Sequence, residues 1–277
     1  MKKIIALSLT LLLTTLAFGQ KKERIKGSKV VTIESKTIEN FDQIEVEDNI
    51  EVYLVKGDNS AIEIEADENL HELIQFELAG STLHLSTSKT VTSYKKLIVK
   101  VTYTDSFKMI TAKNDASIYT LSDLELEQVT VKNLDFSKSY LNVKSPNFTL
   151  IADDKSKIEL NLKAETSTIE LSKNAQLKAL IASASIKFDM YQKSTAIVEG
   201  DVPDAKLRLD NNANFAGKNF VTTRLELTTE AYTYCSIFVN ELVTMDASGK
   251  SEIQLFGAPK IEMKNFADSA ILYKKQK

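Results

Sequence analysis

The side chains able to do chemistry are few and scattered. His71 and His84 are the only imidazoles in 277 residues. A metal site needs two or three His or Cys ligands at short spacing, and a hydrolytic triad needs a histidine with a serine on a G-x-S-x-G elbow. Neither pattern occurs, so both histidines read as surface or half-buried polar residues. The single cysteine, Cys235, cannot form an intramolecular disulfide and is either a reactive thiol or a small packing residue. Paired carboxylates could cleave or grip polysaccharide, and the candidates are Asp153-Asp154 and Glu63 with Glu65. The glutamates of Ile62-Glu-Ile-Glu65 are more simply the solvated face of a strand, and Asp153-Asp154 more simply a turn. Arginine would fork onto an acidic sugar's carboxylate. Only Arg24, Arg208 and Arg224 are available, the last two on adjacent repeats. There is no tryptophan, so stacking on a ligand falls to tyrosine and phenylalanine. Tyr232, Tyr234 and Phe238 share one short stretch, with Tyr191 and Phe220 nearby in sequence, and wall packing is their simpler reading. P-loop, GxGxxG and calcium-binding Gly-Gly-x-Gly-x-Asp turns are all missing. The expectation is therefore no catalytic, cofactor-binding or metal-binding residue, no cofactor, and a chain that is not an enzyme.

Composition and charge bound the setting. Apolar residues make up 43%, enough for a full core. The net charge is −3 with acid and base interspersed, unlike the basic stripe that nucleic acid requires. Lys2-Lys3, the apolar run Ile4 to Phe18 and the small-x-small triplet Ala17-Phe18-Gly19 read as a cleavable signal peptide over 1–19. Cutting before Gln20 removes two lysines and no acids, so the net charge becomes −5. The apolar run is shorter than the ~20 residues of a spanning helix, so no transmembrane anchor is expected in the mature chain. The expected location is the periplasm, the outer surface or the medium.

The elements that must carry any site are strands. Gln20 to Lys29 reads as a loose polar leader, within a leader segment and first strand at 20–40. Phe41–Val46, Ile50–Leu54, Ile62–Ala66 and Gly80–Leu85 alternate apolar and polar residues, and Leu97–Tyr103 reads as a buried strand. Asn69–Ile74 breaks the pattern and reads as one helical turn with Leu70, Leu73 and Ile74 inward. Ser86–Ser93 reads as a polar loop. From residue 105 the chain repeats. Anchors at Ile118, Leu141, Ile158, Leu177, Ile197, Phe215, Ile237, Ile253 and Ile271 are separated by 23, 17, 19, 20, 18, 22, 16 and 18 residues. Two positions before each stands a small residue: Ala116, Ser139, Ser156, Ala175, Thr195, Ala213, Cys235, Ser251 or Ser269. Apolar residues eight upstream (Ile110, Leu150, Ile169, Leu207, Met245, Met263) mark a second strand per unit. Phe188 sits at nine, and Val131 and Leu227 at ten, which a two-residue turn insertion would explain. This periodicity predicts an all-β chain, a parallel right-handed β-helix or β-solenoid of about nine coils of roughly 19 residues, with an irregular N-terminal β lobe. In it Cys235 takes a small inward position, as a packing residue. A two-sheet sandwich is the competing architecture.

The motifs also carry a resemblance. Phe41-Asp-Gln-Ile-Glu-Val-Glu-Asp-Asn-Ile-Glu-Val-Tyr-Leu-Val-Lys-Gly57, Ala66-Asp-Glu-Asn-Leu-His-Glu-Leu-Ile74, Gly80-Ser-Thr-Leu-His-Leu85 and Ser248-Gly-Lys-Ser-Glu-Ile-Gln-Leu-Phe-Gly-Ala-Pro-Lys-Ile261 occur in the order of the auto-transporter adhesin head GIN domain family, which the chain resembles over 41–277. Asn114-Asp-Ala-Ser117, Asp154-Lys-Ser156 and Lys193-Ser-Thr195 stand where the family usually has Ser-Gly-Ala-Ser turns. The resemblance implies a GIN-like solenoid domain at 41–277, with the irregular lobe at 41–104 and the repeat ladder at 105–277. It implies adhesion by analogy and supplies no catalytic residues. Three functions follow as expectations. The first is a non-enzymatic exported binder of a surface glycan or envelope protein. The alternatives are a polysaccharide-active enzyme on a β-helix and a periplasmic scaffold or regulatory partner.

Overall fold

The computed structural model describes residues 22–276, so the expected signal peptide lies outside the described residues. The described chain is 66% strand and 2% helix, and stacks as a β-solenoid of roughly nine turns of about 19 residues. The periodicity is thus that of a parallel ladder, and not of a sandwich.

One coil is easiest to see in the three 15-residue elements Lys138–Ala152, Lys157–Leu171 and Gln176–Met190. Each is two straight runs joined at a corner, and successive elements pair parallel and in register. At the corner one residue drops out of the ladder, between Ser145 and Asn147, Ala164 and Thr166, and Ser183 and Ser185. A residue with no ladder bond to donate can be proline. The chain's three prolines, Pro146, Pro203 and Pro259, all fall in this corner column. Hydroxyls beside the corner satisfy the bent backbone: Ser145 Oγ, Ser183 Oγ and Thr222 Oγ1 each donate to the carbonyl two residues on, at 2.9 Å.

Two inward columns run the length of the ladder. The first stacks Ile110, Val131, Leu150, Ile169, Phe188, Leu207, Leu227, Met245 and Met263. All nine residues expected upstream of the anchors are here. The second stacks Ile118, Ser139, Ile158, Leu177, Ala196, Phe215, Cys235, Ile253 and Leu272. Four expected anchors are therefore corrected. Leu141 and Ile237 lie two residues past the column, Ile197 one past and Ile271 one short. Members of the second column are 21, 19, 19, 19, 19, 20, 18 and 19 residues apart, a tighter period than large apolar residues alone suggest. Each lies eight residues after its partner in the first column, except Leu272, which lies nine after Met263 past a one-residue irregularity. No two-residue insertion is needed. The slip arose because the column admits small residues: Phe215 is flanked by Ala196 and Cys235, and its ring packs edge-on against Phe188 and Phe220 in the volume they leave.

The small-residue column is real, with corrected membership. Backbone bonds between coils string together Ala116, Ser137, Ser156, Ala175, Ser194, Ala213, Thr233, Ser251 and Ala270, each two before the second column. Ser139 and Cys235 belong to the second column itself, and Thr195 and Ser269 lie one residue away. Each small residue closes a four-residue turn whose second position has positive φ: Asn114, Asp135, Asp154, Lys173, Gln192, Asn211, Ala231, Gly249 and Asp268. Asn, Asp and Gly dominate because they visit this region at least cost.

Most of the N-terminal strands join the same sheet. Gln43–Val46 and Glu51–Lys56 pair parallel with Met109–Ala112 and Ser117–Thr120 on one side, and with Thr82–Thr87 and Leu97–Tyr103 on the other. Three further strands pair antiparallel: Ala61–Asp67 lies between Val31–Thr37 and Leu97–Tyr103, and Ile74–Ala79 folds on Thr82–Thr87. A 3-10 helix at Glu68–Leu73 buries Leu70, and Ile74 is buried just after it. From Lys22 on the leader is docked and not loose, and the expected loop at 86–93 contains its partner strand: Arg24–Lys26 pairs parallel with Thr90–Thr92 in a separate two-stranded sheet. Asp67, fully buried, fastens it by accepting from the backbone N–H of Lys29, Lys95 and Lys96 at 2.8–3.0 Å. At the other end Lys260–Phe266 and Ile271–Lys274 present an open coil, with Met263 51% exposed in a column buried elsewhere.

Three outcomes test this account. Phe215→Ala empties the space between two small neighbours and should cost about 3–5 kcal/mol in denaturant unfolding. Cys235 is fully buried and desolvation raises its thiol pKa, so a disulfide reagent should label it only after unfolding. Burial alone would raise the Asp67 carboxyl above its ordinary 3.8, but the backbone donors outweigh it and hold the pKa lower. That stability is present above the unfolded value and lost as pH falls through the folded one. Asp67→Ala should therefore cost about 1–3 kcal/mol at pH 7, with the gap to the parent protein closing below pH ~4.

Candidate functional site

The residues singled out by type lie apart. His71 is buried: its Nε2 is 2.9 Å from Thr32 Oγ1 and 3.2 Å from the Ala66 carbonyl, and its Nδ1 is 3.6 Å from Glu34. His84 sits on Thr82–Thr87, with Nδ1 3.4 Å from Glu45. Among the described residues no group of three His, Cys, Asp or Glu could hold a metal ion. Glu63 and Glu65 face Lys100 and Lys96 across the antiparallel pair at 3.6 and 3.5 Å. Arg224 forks onto Asp204 at 2.7 and 2.8 Å, and Arg208 reaches Glu230 at 3.6 Å, so both guanidiniums are already engaged. Arg24 opens the leader strand.

Asp153-Asp154 is a turn. Asp154 has φ 58° and donates its backbone N–H to Asp153 Oδ1 at 2.8 Å. Lys173, in the same turn one coil on, bridges both carboxylates at 2.9 and 2.8 Å, and Ser172 Oγ donates to Asp153 at 2.7 Å. Burial would raise the Asp153 carboxyl, but Lys173, Ser172 and the Asp154 N–H hold it below its ordinary value. A general acid needs the opposite shift.

The aromatic residues near the C-terminus divide between core and wall. Phe220 is buried against Phe215, whereas Tyr191, Tyr234 and Phe238 are half-buried. Tyr232 is exposed on a turn beneath Lys250, whose Nζ is 5.0 Å from the ring centroid.

A different aromatic group stands out on the surface. Tyr119 and Tyr140 each follow a second-column residue by one position, and Tyr53 follows Val52, which pairs with Ile118, so all three point outward from three consecutive coils. Their rings stack with centroids 4.8 Å apart at both steps and interplanar angles of 11° and 5°. That separation is the rise of one coil. The outward row continues with Glu159, Lys178 and Ile197, and a parallel row two residues on holds Asn142, Asn161, Leu180 and Glu199. Between the rows runs a groove of about 610 Å³. Leu121, Leu180 and Ile197 stand 65%, 53% and 52% exposed along it. Asn161 Nδ2 donates to Asn142 Oδ1 at 3.4 Å, bridging two coils. Sequence reasoning missed this face. Counting eight residues from the first column aligns Tyr119 with Tyr140 and turns Ile197 outward, whereas anchoring on Leu141 and Ile197 hides both.

Known proteins share this architecture. The chain has a TM-score of 0.68 at 14% identity with a crystal structure described as "putative adhesin" from Parabacteroides distasonis, covering 90% of this chain and 99% of that one. A "putative adhesin" from Parabacteroides merdae gives 0.60 at 17% identity, covering 90% and 98%. A "putative lipid binding protein" from Parabacteroides distasonis gives 0.60 at 13%, also covering 90% and 98%. At these identities the likeness is one of fold. No curated protein matches the chain. A family model described as "Putative auto-transporter adhesin, head GIN domain" matches residues 40–259, well over half the length, and the chain belongs to that family.

Proposed function

We propose that this chain is an exported, non-enzymatic binding protein of the cell envelope that holds a surface partner in adhesin-like fashion. The observation that carries this reading is the groove beside the Tyr53–Tyr119–Tyr140 stack. It is an exposed apolar and aromatic surface on strands that pair with their neighbours in register. Contiguous exposed apolar surface on a soluble face marks binding. Family membership, and relatives described as adhesins, support the same reading. Among the described residues no helix is long and apolar enough to cross a membrane. The proposed layout is a signal peptide at 1–19, a leader and first strand at 20–40 and the solenoid domain at 41–277, with the irregular lobe ending at 104. A polysaccharide-active enzyme is the weaker reading, because Asp153 and Asp154 are spent on Lys173 and their own turn.

The test uses fluorescently labelled protein on whole bacterial cells and on host-cell layers. Saturable retention is expected on at least one surface. It should fall about tenfold or more in Leu180→Asp, which places a charge in the groove, and persist in Tyr232→Ala. Retention on no surface, or retention indifferent to Leu180→Asp, would count against the proposal.

A further inference from the structure

We infer that the groove beside the tyrosine stack takes a neutral oligosaccharide chain lying along the solenoid axis. This rests on the binding role proposed above and names the ligand class of that site.

Shape comes first. The outward row from Tyr53 to Ile197 crosses six stacked coils. At a rise of roughly 4.8 Å per coil, it is about 24 Å long. Its occupant is therefore elongated and can meet a similar environment at each step.

Chemistry then separates the candidates. Tyr140 ends the ring stack. One face lies on Tyr119, the opposite face is turned toward Glu159 one coil on, and the residue is 36% exposed. The exposed part of this ring can pack on the C–H side of a sugar. Just beyond it, Glu159 and Lys178 are directly paired in register on adjacent coils, yet form no ion pair among the described residues. Asn142 and Asn161 share one bond, which leaves the Asn142 amide donors and the second Asn161 donor available. Apolar and polar contacts thus alternate along the floor. An acyl chain would bury Glu159, Lys178 and both amides without partners, a cost of several kcal/mol in total. An extended peptide gains affinity by adding to a sheet edge, and this is a sheet face. A sugar chain supplies hydroxyls for the amides and ions while its C–H faces cover Tyr140, Leu180 and Ile197. The groove's charged groups are Glu159, Lys178 and Glu199. With two carboxylates against one ammonium, it repels an acidic polymer and suits an uncharged one.

The experiment is calorimetric titration with a panel of neutral hexasaccharides (gluco-, manno-, galacto- and xylo-configured), alongside hexagalacturonate and phosphatidylcholine vesicles. At least one neutral series should bind in the micromolar to millimolar range. Tyr140→Ala and Asn161→Ala should each weaken it by about tenfold, while Tyr140→Phe, which keeps the ring face, retains it. Thermal melts establish that each variant is folded. Binding of no neutral member, or binding unmoved in folded Tyr140→Ala, would overturn the inference, as would preference for hexagalacturonate or for vesicles. Retention on cells that is lost in Leu180→Asp but not competed by any neutral hexasaccharide would sink the sugar assignment and leave the binding role standing.

Discussion

The ladder of this molecule follows from strands stacked parallel and in register. A coil of about 19 residues returns each side chain to a position one strand spacing above its counterpart. Like then lies over like, and a residue's role is set by its column more than by its neighbours in sequence. The eight-residue step between the two inward columns holds through every coil of the ladder until Met263, because the turn between them is always four residues long with a left-handed second position. A coil that changed this count would misplace all its inward side chains against both neighbours at once. The chain instead absorbs variation at the opposite corner, where register irregularities occur between Gly217 and Val221 and between Thr222 and Arg224.

Stacking leaves two ends to be managed. At the N-terminal end, antiparallel strands and a 3-10 helix turn inward and bury Ile62, Ile64, Leu70 and Ile74. Two buried or half-buried carboxylates secure them. Asp67 gathers three backbone donors, and Asp48 accepts from the backbone and hydroxyl of Thr87 and from Lys22. In both cases a charge removed from water is compensated by fixed donors, the condition under which it stabilises. The last described coil has no such cover. Its edge carries Lys260, Lys264 and Lys274, the kind of charged side chain that discourages pairing with another sheet.

Much of this was legible in the sequence. Repetition gave the solenoid, and all nine first-column residues were identified because each is large and apolar, from Ile110 to Met263. The second column was harder to read. Inward volume is shared between coils, so a phenylalanine at 215 is matched by alanine at 196 and cysteine at 235. A rule that seeks a large apolar residue on every rung then steps past Ser139, Ala196 and Cys235 to the next one, which points elsewhere or belongs to another layer. The docked leader was illegible for a different reason. Its attachment comes from Asp67 and Asn69, some forty residues away, and polar composition alone does not distinguish a tethered segment from a free one.

The same slip concealed the groove, because the outward columns can be read only once the inward ones are placed. Inward positions are constrained by packing across the whole ladder, so they say little beyond the fold. Outward positions are free of that constraint, and three tyrosines brought into contact from residues 53, 119 and 140 need an explanation that packing does not supply. Tyr53 and Tyr119 are 66 residues apart, separated by most of the antiparallel cap, yet they occupy adjacent coils. The excursion that closes the N-terminal end of the solenoid also returns the chain in register. The cap therefore both seals the core and completes the aromatic end of the groove. Loosening it would be felt at Tyr53 through the strand Glu51–Lys56, which pairs on one side with the cap's support and on the other with Tyr119's strand. Stability at that end and the aromatic end of the groove on that face are thus two consequences of one strand pairing.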